Sequence, residues 1–144
     1  MRIVQRRASA SDEWPTPQPV FDRLNAQYGP FNLDPCATPE NAKCTVFFTR
    51  VDDGLQQDWG TSTVFVNPPY SQIWEWARKS YQSAEQGACV VMLVPVRAGS
   101  QWWHDWVWGR SEVVYLRGRI KFGRSNAPFD SCLVVYRPYH VGVS

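Results

Sequence analysis

Two stretches of the chain are apolar almost without interruption: residues 63–66, Thr-Val-Phe-Val, and residues 88–96, Ala-Cys-Val-Val-Met-Leu-Val-Pro-Val. Runs this short, bounded by turn-forming residues, predict strands covered on both faces. Residues 31–34 are a shorter strand candidate, residues 41–49 are another through Val46, Phe47 and Phe48, and residues 113–122 and 132–136 are two more near the C-terminus. Between the strands, apolar residues recur at helical spacing. Thr16-Pro17 supplies an N-cap and a first-turn proline ahead of Val20, Phe21 and Leu24, and Gly29-Pro30 stops that helix. Ile73, Trp76, Ala77 and Tyr81 share one face of a second helix over residues 73–86, which Gly87 ends. A short helix is predicted over residues 101–108, and Asp52-Asp53-Gly54 is a turn. Strands alternating with helices, followed by two adjacent strands, predict an α/β fold: a mostly parallel, doubly wound sheet with an antiparallel end.

With 144 residues, the chain is read as a single domain over residues 14–138, long enough to bury a core without disulfide or metal staples. A polar, basic arm with Arg2, Arg6 and Arg7 fills residues 1–13, and residues 139–144 form a tail. The net charge of +2 does not by itself announce a nucleic-acid partner. A local cluster changes that picture. Arg117, Arg119, Lys121 and Arg124 lie close together, and on a strand the first three share one face. They are read as DNA contacts, against the plainer reading of a solvated sheet edge. None of the four cysteines forms a Cys-x-x-Cys pair, and no signal peptide or long apolar run opens the chain. The expectation is a cytoplasmic protein with reduced thiols, no metal and no membrane span. Eight Trp and seven Phe are unusually many; most are assigned to the core, including Trp102, Trp103, Trp106 and Trp108.

In open α/β sheets, ligands bind beyond the carboxyl ends of the strands. Two polar segments fall there, Asp34-Pro35-Cys36-Ala37 and Asn67-Pro68-Pro69-Tyr70. The second has specific chemistry. An exocyclic amino group is a poor nucleophile because its lone pair is delocalised into the ring. Acceptors that take hydrogen bonds from both of its N–H groups help the nitrogen become tetrahedral. The Asn67 side-chain oxygen can be one acceptor and the Pro68 carbonyl the other. Pro68 and Pro69 stiffen the turn so that both hold position. Tyr70 offers a flat face on which an extruded base could stack. The alternative is a structural turn with Tyr70 in the core. Arg97 follows another strand end and is a candidate phosphate contact, or a surface arginine.

The order of short motifs resembles the phage-type DNA N-6-adenine methyltransferases. It runs Trp14-x-Thr16-Pro17, Leu33-Asp34-Pro35-Cys36-Ala37, Asp53-Gly54-Leu55, Asn67-Pro68-Pro69-Tyr70, Gly118-Arg119-Ile120-Lys121-Phe122 and Ala127-Pro128-Phe129-Asp130-Ser131, covering residues 14–138. The resemblance implies a Rossmann-like fold that uses S-adenosylmethionine to methylate N6 of adenine in DNA, with the base extruded into the Asn67–Tyr70 pocket. It implies that Asp34, Pro35 and Cys36 belong to the cofactor loop. It places Asp53 near the cofactor adenine and Thr16-Pro17 beside its methionine end. Two differences stand out. Pro35-Cys36-Ala37-Thr38-Pro39 replaces the usual glycine-rich loop, and Asp52 is the nearest acidic residue after the strand candidate 41–49 for the ribose hydroxyls. Two other functions share such a turn: amino-methylation of RNA or of glutamine side chains, and nucleic-acid binding without catalysis.

Overall fold

The computed structural model describes residues 14–123 and 125–138. The arm read at residues 1–13, the tail at 139–144 and Arg124 lie outside the described residues. Eight regular elements follow in order: α1 (Gln18–Tyr28), β1 (Thr63–Val66), α2 (Ile73–Glu85), β2 (Cys89–Pro95), β3 (Glu112–Tyr115), β4 (Lys121–Phe122), β5 (Ser125–Asn126) and β6 (Ser131–Tyr136).

The main sheet has the order β1-β2-β6-β3. β1 runs parallel to β2, while β6 is antiparallel to both β2 and β3. β2 and β6 are central, and their apolar runs leave them buried along almost their whole length. Alternate side chains point to opposite faces. Val64, Val66, Val90, Met92, Val94, Cys132, Val134 and Tyr136 pack with Ile73, Trp76, Ala77 and Ala84 of α2 and with Trp103 and Val107. Phe65, Val91, Leu93, Leu133 and Val135 pack on the other face with Phe21 and Leu24 of α1, Phe31 and Ile120. Each such side chain contributes roughly 1.5–3 kcal/mol on burial. The Tyr136 hydroxyl, sealed in this core, donates to the Trp106 carbonyl at 2.8 Å.

Several local expectations are corrected. Within the main sheet one pairing is parallel and two are antiparallel, so the sheet is mixed rather than mostly parallel. Its parallel side continues past β1 only as single bridges, Leu33 to Val64 and Asp34 to Phe47. The reason is chemical. Asp34 turns its carboxylate onto the loop that follows, and Pro35 has no N–H to extend a ladder. The 41–49 candidate therefore contributes one bridge, with Val46 exposed. Residues 113–122 are not one strand. β3 ends at Tyr115, Gly118 takes φ +74°, and the chain resumes as a β4–β5 hairpin. Arg117, Arg119 and Lys121 thus do not share a strand face. The helix expected at 101–108 is mostly a π-helical turn, Trp103–Val107, and Trp108 is 74% exposed rather than core. Pro17, not Thr16, is the N-cap of α1, and it makes no side-chain cap.

Candidate active site

A cavity of about 1480 Å³ lies at the end of β1, between the segments around residues 14–16, 34–43, 49–55 and 67–72. Its size exceeds the usual range for a single small ligand, roughly 300–1,000 Å³. Thr16, Asp34, Pro35, Cys36, Asp53, Asn67, Pro68, Pro69 and Tyr70 all line it. The residues singled out from distant parts of the sequence therefore converge on one space. Pro17 does not line it, and neither do Arg97, Arg117, Arg119 or Lys121.

The turn after β1 is the most defined part of the site. The Asn67 side-chain nitrogen donates to the Trp14 carbonyl at 2.7 Å and to the Thr16 hydroxyl at 2.9 Å. A carbonyl can only accept, so the Trp14 contact fixes which end of the amide is nitrogen. The oxygen, Oδ1, accepts no hydrogen bond among the described residues. The Pro69 carbonyl is occupied by the Gln72 N–H at 3.0 Å, whereas nothing among the described residues donates to the Pro68 carbonyl. Two acceptors on this turn thus lack donors among the described residues, and both belong to residues lining the cavity.

Aromatic rings surround the turn. Phe129, 6% exposed, meets the edges of Trp14 at 5.6 Å and Tyr70 at 5.4 Å. Trp14 also meets Phe122 of β4 at 5.1 Å. The Arg97 guanidinium lies 5.5 Å from the Phe129 ring centre, close enough to act on Tyr70. Burial pushes the Tyr70 phenol well above its ordinary value, and the positive charge of Arg97 offsets part of that. Trp14, Phe122 and Phe129 were assigned no role from the sequence. Their signal was the Trp14-x-Thr16, Gly118-to-Phe122 and Pro128-Phe129-Asp130 segments of the resemblance.

Asp34 is buried, and both of its oxygens serve the loop that follows. Oδ1 accepts the Cys36 N–H at 3.4 Å and Oδ2 the Lys43 N–H at 3.0 Å. Burial raises its pKa, while these N–H bonds and the Lys43 charge pull the other way. Asp34 therefore closes a rigid loop, 35–43, in place of a glycine-rich one. Asp53, also in the cavity lining, adopts φ +58°, a left-handed conformation that Asp tolerates better than most residues. Gly54 follows and packs so tightly that a Cβ there would run into the Pro35 carbonyl oxygen, with Trp76 also close. Its own carbonyl accepts from the Trp59 indole N–H at 3.0 Å. The fallback Asp52 does not line the cavity. Its carboxylate holds the Thr49 N–H and hydroxyl, closing the turn.

Arg97, Arg117, Arg119 and Lys121 lie outside the cavity, whose own lining includes Lys43 and Arg50, but two of the four approach its aromatic rim. Arg97 reaches it through Phe129, and Lys121 adjoins Phe122 in β4. Arg119 pairs with Asp130 at 3.5 Å, next to Phe129. Arg117 is exposed in the bend before Gly118. Among the described residues, no group of three or more His, Cys, Asp or Glu could hold a metal ion, and no helix is long and apolar enough to cross a membrane.

Comparison with known proteins adds to this geometry. The profile of the family described as DNA N-6-adenine-methyltransferase (Dam) matches residues 4–133. A DNA N-6-adenine-methyltransferase of Escherichia phage T1 is 29% identical over 110 residues, covering 76% of this chain and 46% of the relative. One of Haemophilus phage HP1 (strain HP1c1) is 33% identical over 119 residues, covering 81% of this chain and 69% of the relative. A putative methyltransferase, YfdM, of Escherichia coli (strain K12) is 38% identical over 65 residues. The chain spans a little under half the length of the phage T1 relative.

Proposed function

The chain belongs to the DNA N-6-adenine-methyltransferase (Dam) family, and from that premise we propose that it transfers a methyl group from S-adenosylmethionine to the N6 amino group of adenine in DNA. The observation that carries this reading is the anchored Asn67 amide. Its nitrogen is held by Trp14 and Thr16, and its oxygen is left over for a substrate. In this reading, Asn67 Oδ1 and the Pro68 carbonyl accept the two N–H bonds of an extruded adenine. The bonds strengthen as the nitrogen turns tetrahedral, which favours the transition state over the ground state. The Tyr70 ring, backed by Phe129, stacks on the base. Arg97, Arg117, Arg119 and Lys121 would meet phosphates around the aromatic rim. Residues 14–138 would form one methyltransferase domain of the Rossmann-like kind, with α1 and α2 on opposite faces of the sheet.

S-adenosylmethionine supplies, when bound, a methyl group on a positively charged sulfur. The cavity residues fit such a molecule. Pro35, Leu55 and Trp76 would give apolar cover, and Asp53 would be a hydrogen-bond acceptor for the adenosine part. The buried Trp76 indole N–H has no partner among the described residues. The segment Asp34-Pro35-Cys36 also lines the cavity, with Pro35 against Gly54, and Thr16 lies beside Asn67.

The test is direct. Wild-type protein and Asn67→Ala are incubated with labelled S-adenosylmethionine and DNA, and the DNA is then digested to nucleosides. N6-methyladenine is expected from the wild type. Turnover by a folded Asn67→Ala protein should fall by about a hundred- to a thousand-fold, the scale for losing one preorganised transition-state partner. Donor affinity should be retained. Wild-type turnover in that variant would remove this turn from the active site.

A further inference from the structure

We infer that Thr16 is a positioning residue for Asn67: its hydroxyl, with the Trp14 carbonyl, locks the amide so that Oδ1 faces the substrate. This rests on the adenine-methyltransferase reading, and it departs from the resemblance, which places Thr16 beside the cofactor.

Three observations carry it. Thr16 precedes α1 where a capping hydroxyl belongs, yet Pro17 is the N-cap and α1 has no side-chain cap. The hydroxyl is thus not used by its own helix. Thr16 is only 5% exposed, and a hydroxyl removed from water must find a partner. The Asn67 nitrogen is that partner, at 2.9 Å across 51 residues of sequence. Finally, the two acceptors occupy both hydrogens of that nitrogen. An Asn side chain flipped by half a turn would face the Trp14 carbonyl with its own oxygen and lose that bond, while the Thr16 hydroxyl would have to turn from accepting to donating. The locked orientation therefore decides whether Asn67 offers the substrate an acceptor or a donor. A donor there would oppose N–H groups with N–H groups and stabilise nothing.

The primary experiment compares Thr16→Val, which keeps volume and loses the hydroxyl, with Thr16→Ser, which keeps the hydroxyl. Turnover, donor affinity by calorimetry and DNA affinity are measured on the full chain. With one of two anchors gone, kcat of Thr16→Val should fall about tenfold, the worth of roughly one hydrogen bond. Affinities for S-adenosylmethionine and DNA should stay within about twofold, a split expected when an effect is confined to the transition state. Thr16→Ser should restore most of the lost turnover. In an Asn67→Ala background, Thr16→Val should cost nothing further, because its effect runs through the amide. Loss of donor affinity with kcat intact would make Thr16 a cofactor contact and overturn the inference. So would unchanged kcat in Thr16→Val.

A second measurement needs no variant at position 16. In the wild type, the two side-chain amide hydrogens of Asn67, assigned by their absence in Asn67→Ala, should exchange with solvent markedly more slowly than those of an exposed Asn. Exchange at the free rate overturns the inference even if Thr16→Val does not fold. The two readings fail separately. An active Asn67→Ala sinks the catalytic turn, whereas an inactive Asn67→Ala with fully active Thr16→Val sinks only the lock.

Discussion

Phe129→Leu probes how the aromatic rim supports the Asn67–Tyr70 turn. The Phe129 ring makes edge contacts with Trp14 and Tyr70, a tilted one with Phe122 at 6.5 Å, and lies under the Arg97 guanidinium. Leucine keeps the site apolar and nearly filled, so the cavity cost is small. What is lost is the ring-specific part, about 0.5–1.5 kcal/mol per aromatic pair and about 0.5–1 kcal/mol for an exposed cation. These contributions share one ring and do not simply add. A total of about 2 kcal/mol is expected, lowering Tm by roughly 6 °C for a chain of this size. The functional effect should be selective. Tyr70 loses the ring behind it and Arg97 its platform, so KM for DNA should rise several-fold while donor affinity stays unchanged. Val135→Ala is the control. It removes a buried residue of the α1-side core that makes no ring contact with Phe129, and should cost comparable stability without touching KM for DNA. The assays are thermal denaturation and steady-state kinetics with DNA as the varied substrate. Equal kinetic effects in the two variants would refute the claim that Phe129 acts on the site rather than on the fold alone.

Three further outcomes follow from the geometry. Gly54→Ala should destabilise the protein by more than the usual exposed-loop substitution, by about 2 kcal/mol or more, because the new Cβ meets the Pro35 carbonyl; urea unfolding measures it, and S-adenosylmethionine binding should weaken alongside. The Tyr70 phenol, its pKa raised by burial, stays protonated across the usual assay range, so kcat/KM should show no loss from this group up to about pH 10, its ordinary value. Because the folded pKa is the higher one, this group's contribution to stability is full below pH 10 and declines above it; a Tyr70→Phe variant should lose less stability between pH 10 and 11. Lys121→Ala should lower the salt slope of DNA binding by about one unit. Arg119→Ala should act similarly, since its exposed pair with Asp130 is worth little by itself; an unchanged slope in both returns them to a solvated rim.

The legibility of the chain followed the range of the interactions involved. β2 and β6 were readable because a strand buried on both faces must be apolar at every position, and that pattern is local. The break at Gly118 was not. Ile120 and Phe122 look like a strand continuing, but Ile120 packs with the α1-side core and Phe122 meets Trp14. Thr16 shows the same limit. Thr-Pro ahead of a helix is a good local cap signal, and a partner 51 residues away outweighs it. Asp34 was readable as a cavity residue, but its work of closing the loop with Lys43 depends on a return of the chain that local pattern does not reveal. The convergence of Thr16, Asp34, Asp53 and Asn67 on one cavity followed from strand ends and from the resemblance together.

The bond from Trp14 to Asn67 has a bearing on how variants are screened. Neither Trp14 nor Thr16 belongs to the packed clusters on the two faces of the sheet. A melting curve reports mainly those clusters. The segment leading into α1 could therefore come away from the turn with little change in the transition, leaving a cooperative, well-folded molecule whose Asn67 is free to rotate. For this chain, resistance to heat and readiness to react are separate properties, and a library selected for the first can silently lose the second.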